Sequence, residues 1–233
     1  MQLTVLIPTY NEAGNIADFL SELSRVAPDA KLLVVDDNSP DGTGTIVKGL
    51  ALKNPQIELL HREKKEGLGK AYLHAFTEVL RDARTESVLM MDADFSHDPE
   101  YISQMREALT DADVVIGSRY CAGGATEGWE RWRKALSKYG NLYAGLITQM
   151  PVRDMTAGFC LIRASLLRKL DLKRLGSSGY AFQIELKYRL FQAGARIREV
   201  PIHFKNRREG ESKISRHIIR EGIIAPWLLR FKK

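Results

Sequence analysis

The sequence predicts a single α/β domain with a mostly parallel, doubly wound central sheet and a C-terminal amphipathic segment. Three observations carry that expectation. Short apolar runs alternate with amphipathic stretches through the first half of the chain. A length of 233 residues suits one large core and is short for two. Acidic and aromatic residues follow directly after several of the apolar runs, at the strand ends where open sheets of this kind bind ligands.

Taken in order, residues 3–8, 31–36, 57–61, 87–91 and 113–117 read as strands, several of them almost free of polar interruption, as strands buried on both faces are. Helical spacing fills the gaps at 15–26, 43–52, 68–81 and 99–109, and Pro99 suits a first helical turn capped by Ser96 or Asp98. The second half is less regular. A helix is expected over 129–150, a strand over 159–163, a helix over 180–192 and one further strand over 196–205, with Gly123-Gly124 and 176–179 as loop punctuation. Residues 1–213 are therefore expected to form the domain and 214–233 a basic amphipathic segment.

Composition removes several classes of function. Only Cys121 and Cys160 are available to pair, neither has zinc-ligand spacing, and a reduced cytoplasmic setting is expected. The N-terminus lacks the basic start and long apolar run of a signal peptide. The most membrane-like stretch, 214–231, is broken by Arg220, Glu221 and Pro226, so no spanning helix is expected. Residues 205–233 carry nine basic and three acidic side chains, which accounts for the whole net charge of +6. An anionic partner is expected there, whether substrate phosphates, an acidic lipid surface or nucleic acid. Nucleic acid is disfavoured, because no recognised binding motif accompanies the charge and the acidic strand ends would repel it.

The chemistry gathers at strand ends. The run ending at Met91 leads into Asp92-Ala93-Asp94-Phe95-Ser96-His97, and two carboxylates one residue apart can share a hard divalent cation. Alone, the same pattern also describes a solvated turn. The second strand ends in Asp36-Asp37-Asn38-Ser39-Pro40-Asp41-Gly42-Thr43, where Asp41 and Thr43 suit a turn into the next helix and another carboxylate suits a base or ribose. The first ends in Pro8-Thr9-Tyr10-Asn11-Glu12. Ligand-type residues at three strand ends are poorly explained by turn chemistry alone. Lys70, after Gly67 and Gly69, lacks the following Ser or Thr of a phosphate loop, and no dinucleotide fingerprint follows a strand.

These segments, with Gly67-Leu68-Gly69-Lys70-Ala71, stand in the order found in glycosyltransferase family 2, and the chain resembles the polyprenol-phosphate (dolichol-phosphate) mannosyltransferase branch of that family. Gly117-Ser118-Arg119-Tyr120, Gly128-Trp129 with Arg133-Lys134 and Ser137, Asp154-Met155-Thr156, 179–185 and Gly210-Glu211-Ser212-Lys213 narrow it to the branch. The resemblance implies a GT-A (Rossmann-like) fold and inverting, metal-dependent transfer of mannose from GDP-mannose to polyprenyl or dolichyl phosphate. It further implies that Pro8, Tyr10, Glu12, Val35 and Asp37 form the nucleotide pocket, and that Asp92 and Asp94 hold magnesium or manganese, with Ala93 between them and Ser96 at a third-ligand position. Arg119, Arg207 and Lys213 match phosphate-contacting residues, Arg119 serving donor and acceptor alike. Arg133 and Ser137 match an acceptor-phosphate site, and Asp154 is a candidate for positioning acceptor or sugar.

Alternatives remain open at this stage. The same fold suits another donor such as UDP-glucose, and a nonenzymatic membrane or nucleic-acid adaptor is the rival of a different class. Trp129, Trp132 and Tyr143 either line a prenyl groove or fill a core, Gln183 and Glu185 either line the site or form a polar helix face, and His97 reads as structural. The C-terminal segment is expected to hold the protein peripherally on the cytosolic face of a membrane. Its bland alternative is a terminal helix packed on the domain, and the resemblance leaves room for a membrane-anchoring partner subunit.

Overall fold

The computed structural model describes residues 2–176, 179–205 and 216–231. Strands β1 (Leu3–Thr9), β2 (Lys31–Asp36), β3 (Ile57–His61), β4 (Ser87–Met90) and β5 (Val114–Ser118) alternate with helices α1 (Ile16–Val26), α2 (Thr43–Ala51), α3 (Leu68–Val79) and α4 (Tyr101–Ala108). There follow β6 (Ala125–Thr126), α5 (Arg131–Thr148), β7 (Cys160–Arg163), the short α6 (Ala164–Leu167), a 3-10 turn (Leu172–Arg174) and α7 (Gly179–Gln192). The chain closes with β8 (Ile197–Pro201), β9 (His203–Phe204) and α8 (Arg216–Phe231).

Seven strands form the main sheet in the order β3-β2-β1-β4-β7-β5-β8. All neighbours are parallel except β7, which runs antiparallel to β4 and β5. Because side chains alternate across a strand, each one feeds two cores. Leu6, Leu33, Val35, Val88, Met90, Val114 and Ile116 pack with Tyr72, Phe76 and Phe182 of α3 and α7. Val5, Ile7, Leu32, Val34, Leu89 and Val115 pack on the other side with Phe19, Leu20, Ile102 and Met105 of α1 and α4. The order turns outward from β1 and β4, so their carboxyl ends flank the crevice where such sheets take ligands.

Two expectations change. The run 196–205 is not one strand: β8 pairs with β5, while β9 pairs with β6 in a separate two-stranded sheet. Between them buried Ile202 donates its N–H to the Ser118 carbonyl and accepts from Ala125, both at 3.0 Å, which redirects the chain from one sheet to the other. Helix α5 starts after Trp129, because Glu130 is extended (φ −61°, ψ 147°). At α4 it is Asp98, accepting from the Glu100 N–H at 3.1 Å, that caps the turn rather than Ser96.

Helix α8 lies against α5. Tyr143 donates its hydroxyl to the Ile223 carbonyl (2.9 Å) and accepts from the Trp227 indole (2.7 Å), next to the turn where Pro226 has no N–H to give. Ala225 faces inward, whereas Ile223, Ile224, Trp227, Leu228 and Phe231 stay exposed.

Candidate active site

Left-handed turns shape three of the four strand ends along the crevice. Asn11 (φ 61°) follows β1, Asn38 (φ 56°) follows β2 and Phe95 (φ 60°) follows β4. Asn tolerates that conformation, but a Phe held there costs on the order of 1 kcal/mol, and the ring pays it back by packing edge-on against Phe19 at 5.2 Å. The β2 turn is built by its own acids. Asp36, fully buried, accepts from Ser39 N–H (3.1 Å), Ser39 hydroxyl (2.5 Å) and Thr9 hydroxyl (3.2 Å), so it is spent on the turn. Asp41 accepts from Thr43 and from the Ala13 N–H at 2.9 Å, and the Glu12 N–H donates to Thr43 at 3.0 Å, which ties the β1 and β2 ends together. Those hydrogen bonds outweigh burial and hold the Asp41 carboxyl below its usual range.

Of the residues expected to hold the nucleotide, Pro8, Tyr10, Glu12 and Asp37 stand along that rim and Val35 lies below it. Pro8 pairs in register with Val35, whose side chain is wholly buried in the core beneath. Asp37 ion-pairs with Arg62, a buried residue directly after β3 that also reaches Glu66 at 2.9 Å. Tyr10 carries the Lys65 ammonium 3.6 Å from its ring centroid. Arg62 and Lys65 escaped the sequence reading, although Arg62 sits at a strand end like the acids that were found.

At the β4 end Asp94 is buried and accepts from Ser96 N–H (3.0 Å) and Ser96 hydroxyl (2.5 Å), while the Asp92 carboxylate is partly exposed. Ser96 therefore orients Asp94 here. His97 accepts the Asp92 N–H at its Nδ1 (3.1 Å), which puts its own proton on Nε2, and its ring stacks on Phe159 at 5.0 Å. It braces the acidic loop, as the structural reading expects. Gly158 permits the approach: a Cβ there would stand 3.2 Å from His97 Cε1 and 3.6 Å from Asp92 Oδ2. Two carboxylates are a partial oxygen set for a divalent cation, and among the described residues no His, Cys, Asp or Glu completes a group of three. Such a cation takes its other oxygens from water and a bound diphosphate, so the residues fit it.

Arg119 and Asp154, both buried, form the third part of the site. Nε of Arg119 donates to Oδ2 (2.8 Å), a terminal nitrogen to Oδ1 (2.6 Å), and the Arg119 N–H to Oδ2 (2.9 Å). Burial by itself pushes the Asp154 carboxyl up, but the Arg119 guanidinium outweighs it and holds the group ionised below its usual range. The loop around Asp154 is pinned by Glu199, which accepts the Asp154 N–H (2.9 Å), by Asn141, which accepts the Thr156 N–H (3.0 Å), and by Lys187, which donates to the Ala157 carbonyl (2.7 Å). Lys187 is fully buried, and burial pushes its ammonium down from the usual range. Nothing in the sequence marks that lysine as interior.

Trp129 joins the two halves. The Arg133 guanidinium lies 4.1 Å and that of Arg119 5.5 Å from its ring, and Phe204 bridges edge-on from Trp129 (5.5 Å) to His97 (5.5 Å). Arg133 and Ser137, one helical turn apart on α5, thus share a face with Tyr120 and Trp129. The Arg133 Nε and Trp129 indole N–H are buried donors without a hydrogen-bond partner among the described residues. Trp132 does not join them; it is 58% exposed on α5. Arg207 and Lys213 lie outside the described residues.

Comparison with known proteins shows the family and the fold. The family model of glycosyl transferase family 2 matches residues 4–171. The chain is 42% identical to an undecaprenyl-phosphate mannosyltransferase of Micrococcus luteus over 96% of this chain and 92% of that protein. It is 43% identical to a polyprenol monophosphomannose synthase of Mycolicibacterium smegmatis over 97% of this chain and 86% of that protein. A mannosyltransferase from Pyrobaculum calidifontis, solved with GDP-Man and Mn2+, shares the fold at a TM-score of 0.59 and 20% identity, covering 94% of this chain and 59% of that one. The GT-A-like α/β fold expected from the sequence is the one observed, and the chain belongs to glycosyl transferase family 2.

Proposed function

We propose that this chain transfers a mannosyl group from GDP-mannose to polyprenyl or dolichyl phosphate with inversion at the anomeric carbon. The observation that carries the reading is the Arg119 and Arg133 guanidinium groups packed on Trp129, with the Arg133 Nε and the Trp129 indole N–H still without a partner among the described residues, linked through Phe204 and His97 to the Asp92-Ala93-Asp94 loop. Unsatisfied buried N–H groups cost free energy until an anion accepts from them, and a phosphate monoester is such an anion. The names of the two bacterial relatives support this acceptor.

In this reading Tyr10, Glu12 and Asp37 hold the nucleoside, with Pro8 and Val35 forming the backbone floor. Arg207 and Lys213 complete the grip on the donor. Magnesium or manganese on Asp92 and Asp94, when bound, offsets the charge that the leaving diphosphate gains. Arg133 and Ser137 hold the acceptor phosphate, with Arg119 aligned between donor and acceptor by Asp154. A phosphate oxygen attacks C1 from the face opposite the diphosphate, and the electron pair of the C1–O bond leaves with GDP. That oxygen is already ionised near neutral pH, so no general base is needed, and Asp154 serves to position Arg119 rather than to take a proton.

Residues 1–213 are then the catalytic domain and 214–233 its membrane-facing segment. The exposed apolar residues of α8 continue onto α5 through Trp132, Leu136, Tyr139, Leu142 and Leu146, beside the Arg133 face. A monomer rarely leaves so large an apolar surface uncovered, and a lipid acceptor supplies the reason for it. No helix among the described residues is long and apolar enough to cross a membrane; in this reading the attachment is peripheral, on the cytosolic face, through the basic and apolar side chains of 214–233. A radiolabelled transfer assay with GDP-mannose, UDP-glucose and a short polyprenyl phosphate tests the function. Label from GDP-mannose in the lipid product is expected; transfer from UDP-glucose alone would replace the donor.

A further inference from the structure

Gln183, on α7, is 2% exposed, and among the described residues neither its Oε1 nor its Nε2 has a hydrogen-bond partner. Several buried hydroxyls are also unpartnered among the described residues, but Gln183 is the one amide there, with a separate donor atom and acceptor atom both open. Leaving both atoms unpaired would cost on the order of 2 kcal/mol or more, which protein interiors rarely tolerate without an occupant.

The neighbours of Gln183 show where it lies. Phe182 stacks parallel to Tyr72 at 6.0 Å, and Tyr72 feels the charge of Asp92. Lys187, four residues on and so on the same helix face as Gln183, reaches the Ala157 carbonyl at 2.7 Å. Gly158, the next residue, is the one that abuts Asp92. Side chains on a helix lean toward its N-terminus, so the Lys187 stem runs toward Gln183, and the Lys187 ammonium feels the charges of Asp154 and Arg119, which sets Gln183 on the helix face turned to that part of the site.

Chemistry then selects the occupant. Diphosphate and acceptor phosphate oxygens only accept, so they would satisfy Nε2 and set negative charge against Oε1. The base pocket lies across the crevice, at the ends of β1 and β2. A sugar hydroxyl both donates and accepts, and two neighbouring hydroxyls match an amide atom for atom. We infer that Gln183 binds hydroxyls of the hexose being transferred and contributes to the choice of sugar; this rests on the transferase reading above.

The test is a cycle of Gln183→Met, which keeps length and removes both polar atoms, against GDP-mannose and its singly deoxygenated hexose analogues. Wild type is expected to prefer GDP-mannose over at least one deoxy donor by roughly 10-fold or more in kcat/KM, and Gln183→Met to lose that preference. GDP affinity by calorimetry and acceptor KM should not move. The variant's thermal midpoint should equal or exceed that of wild type, since an orphaned amide has gone. Equal losses on every donor, weakened GDP binding or a lowered midpoint would overturn the role. Should the enzyme use UDP-glucose instead, the mannose reading falls while deoxyglucose donors still decide Gln183; inactivity with every nucleotide sugar would overturn both.

Discussion

Arg119 grips Asp154 through three hydrogen bonds of 2.6 to 2.9 Å, with both side chains withdrawn from solvent. A pair so placed is easily broken and hard to replace. Asp154→Ala strands a buried guanidinium and is expected to cost about 3 to 5 kcal/mol in urea unfolding. Because the folded carboxyl titrates below its unfolded value near 3.8, the stability it supplies is complete above that pH and disappears as pH falls through the folded value. Asp154→Asn should therefore flatten the acid limb of a stability-against-pH curve; an unchanged limb would show that other carboxylates set it.

Asp92→Asn and Asp94→Asn are expected to lower kcat by more than about 100-fold with circular dichroism unchanged, and a chelator should do the same reversibly. Ser96→Ala, which only frees Asp94, should cost roughly 10-fold. Full activity at verified negligible metal content would remove the metal role.

Arg133→Ala should raise the acceptor KM by about 10- to 100-fold with little change in donor KM, as expected for loss of a charge-assisted contact. Arg207→Ala is expected to act on the donor side instead. Matching donor and acceptor dependence in the two variants would contradict this division.

Arg62→Ala removes the cation that holds Asp37, and donor KM should rise roughly 10-fold while acceptor KM stays constant. An unchanged donor KM would mean that Asp37 does not touch the nucleotide.

Trp132→Glu combined with Leu146→Glu puts charge on the exposed face of α5 without touching Arg133 or Ser137. Co-sedimentation with anionic vesicles is expected to fall roughly tenfold or more, since each buried large apolar side chain contributes about 1.5 to 3 kcal/mol. Undiminished binding would move the attachment to α8 or to a partner subunit.

The thiols offer a check on packing. Burial raises Cys160 to about 11, so native protein at pH 8 should expose only Cys121 to a thiol reagent, and unfolded protein both. Rapid native labelling of two thiols would contradict the core around β7.

The sequence by itself determined the strand and helix alternation, the mostly parallel sheet and the acidic rim, because local apolar periodicity and turn-forming residues report on each element separately. It also marked Asp92 and Asp94 at a strand end, while the family resemblance marked Arg119, Arg133 and Asp154 one by one. What only the tertiary structure decided is which of them act together. Arg119 and Asp154 are 35 residues apart and meet only because β5 and the loop before β7 adjoin, and Arg62 reaches Asp37 only through the β2–β3 pairing. The division of 196–205 between two sheets and the burial of Lys187 were equally invisible, and the two readings of Gln183 were decided only by its burial. Burial and long-range pairing belong to the packed chain, since a polar residue's environment is set by elements distant in sequence and no local pattern encodes it.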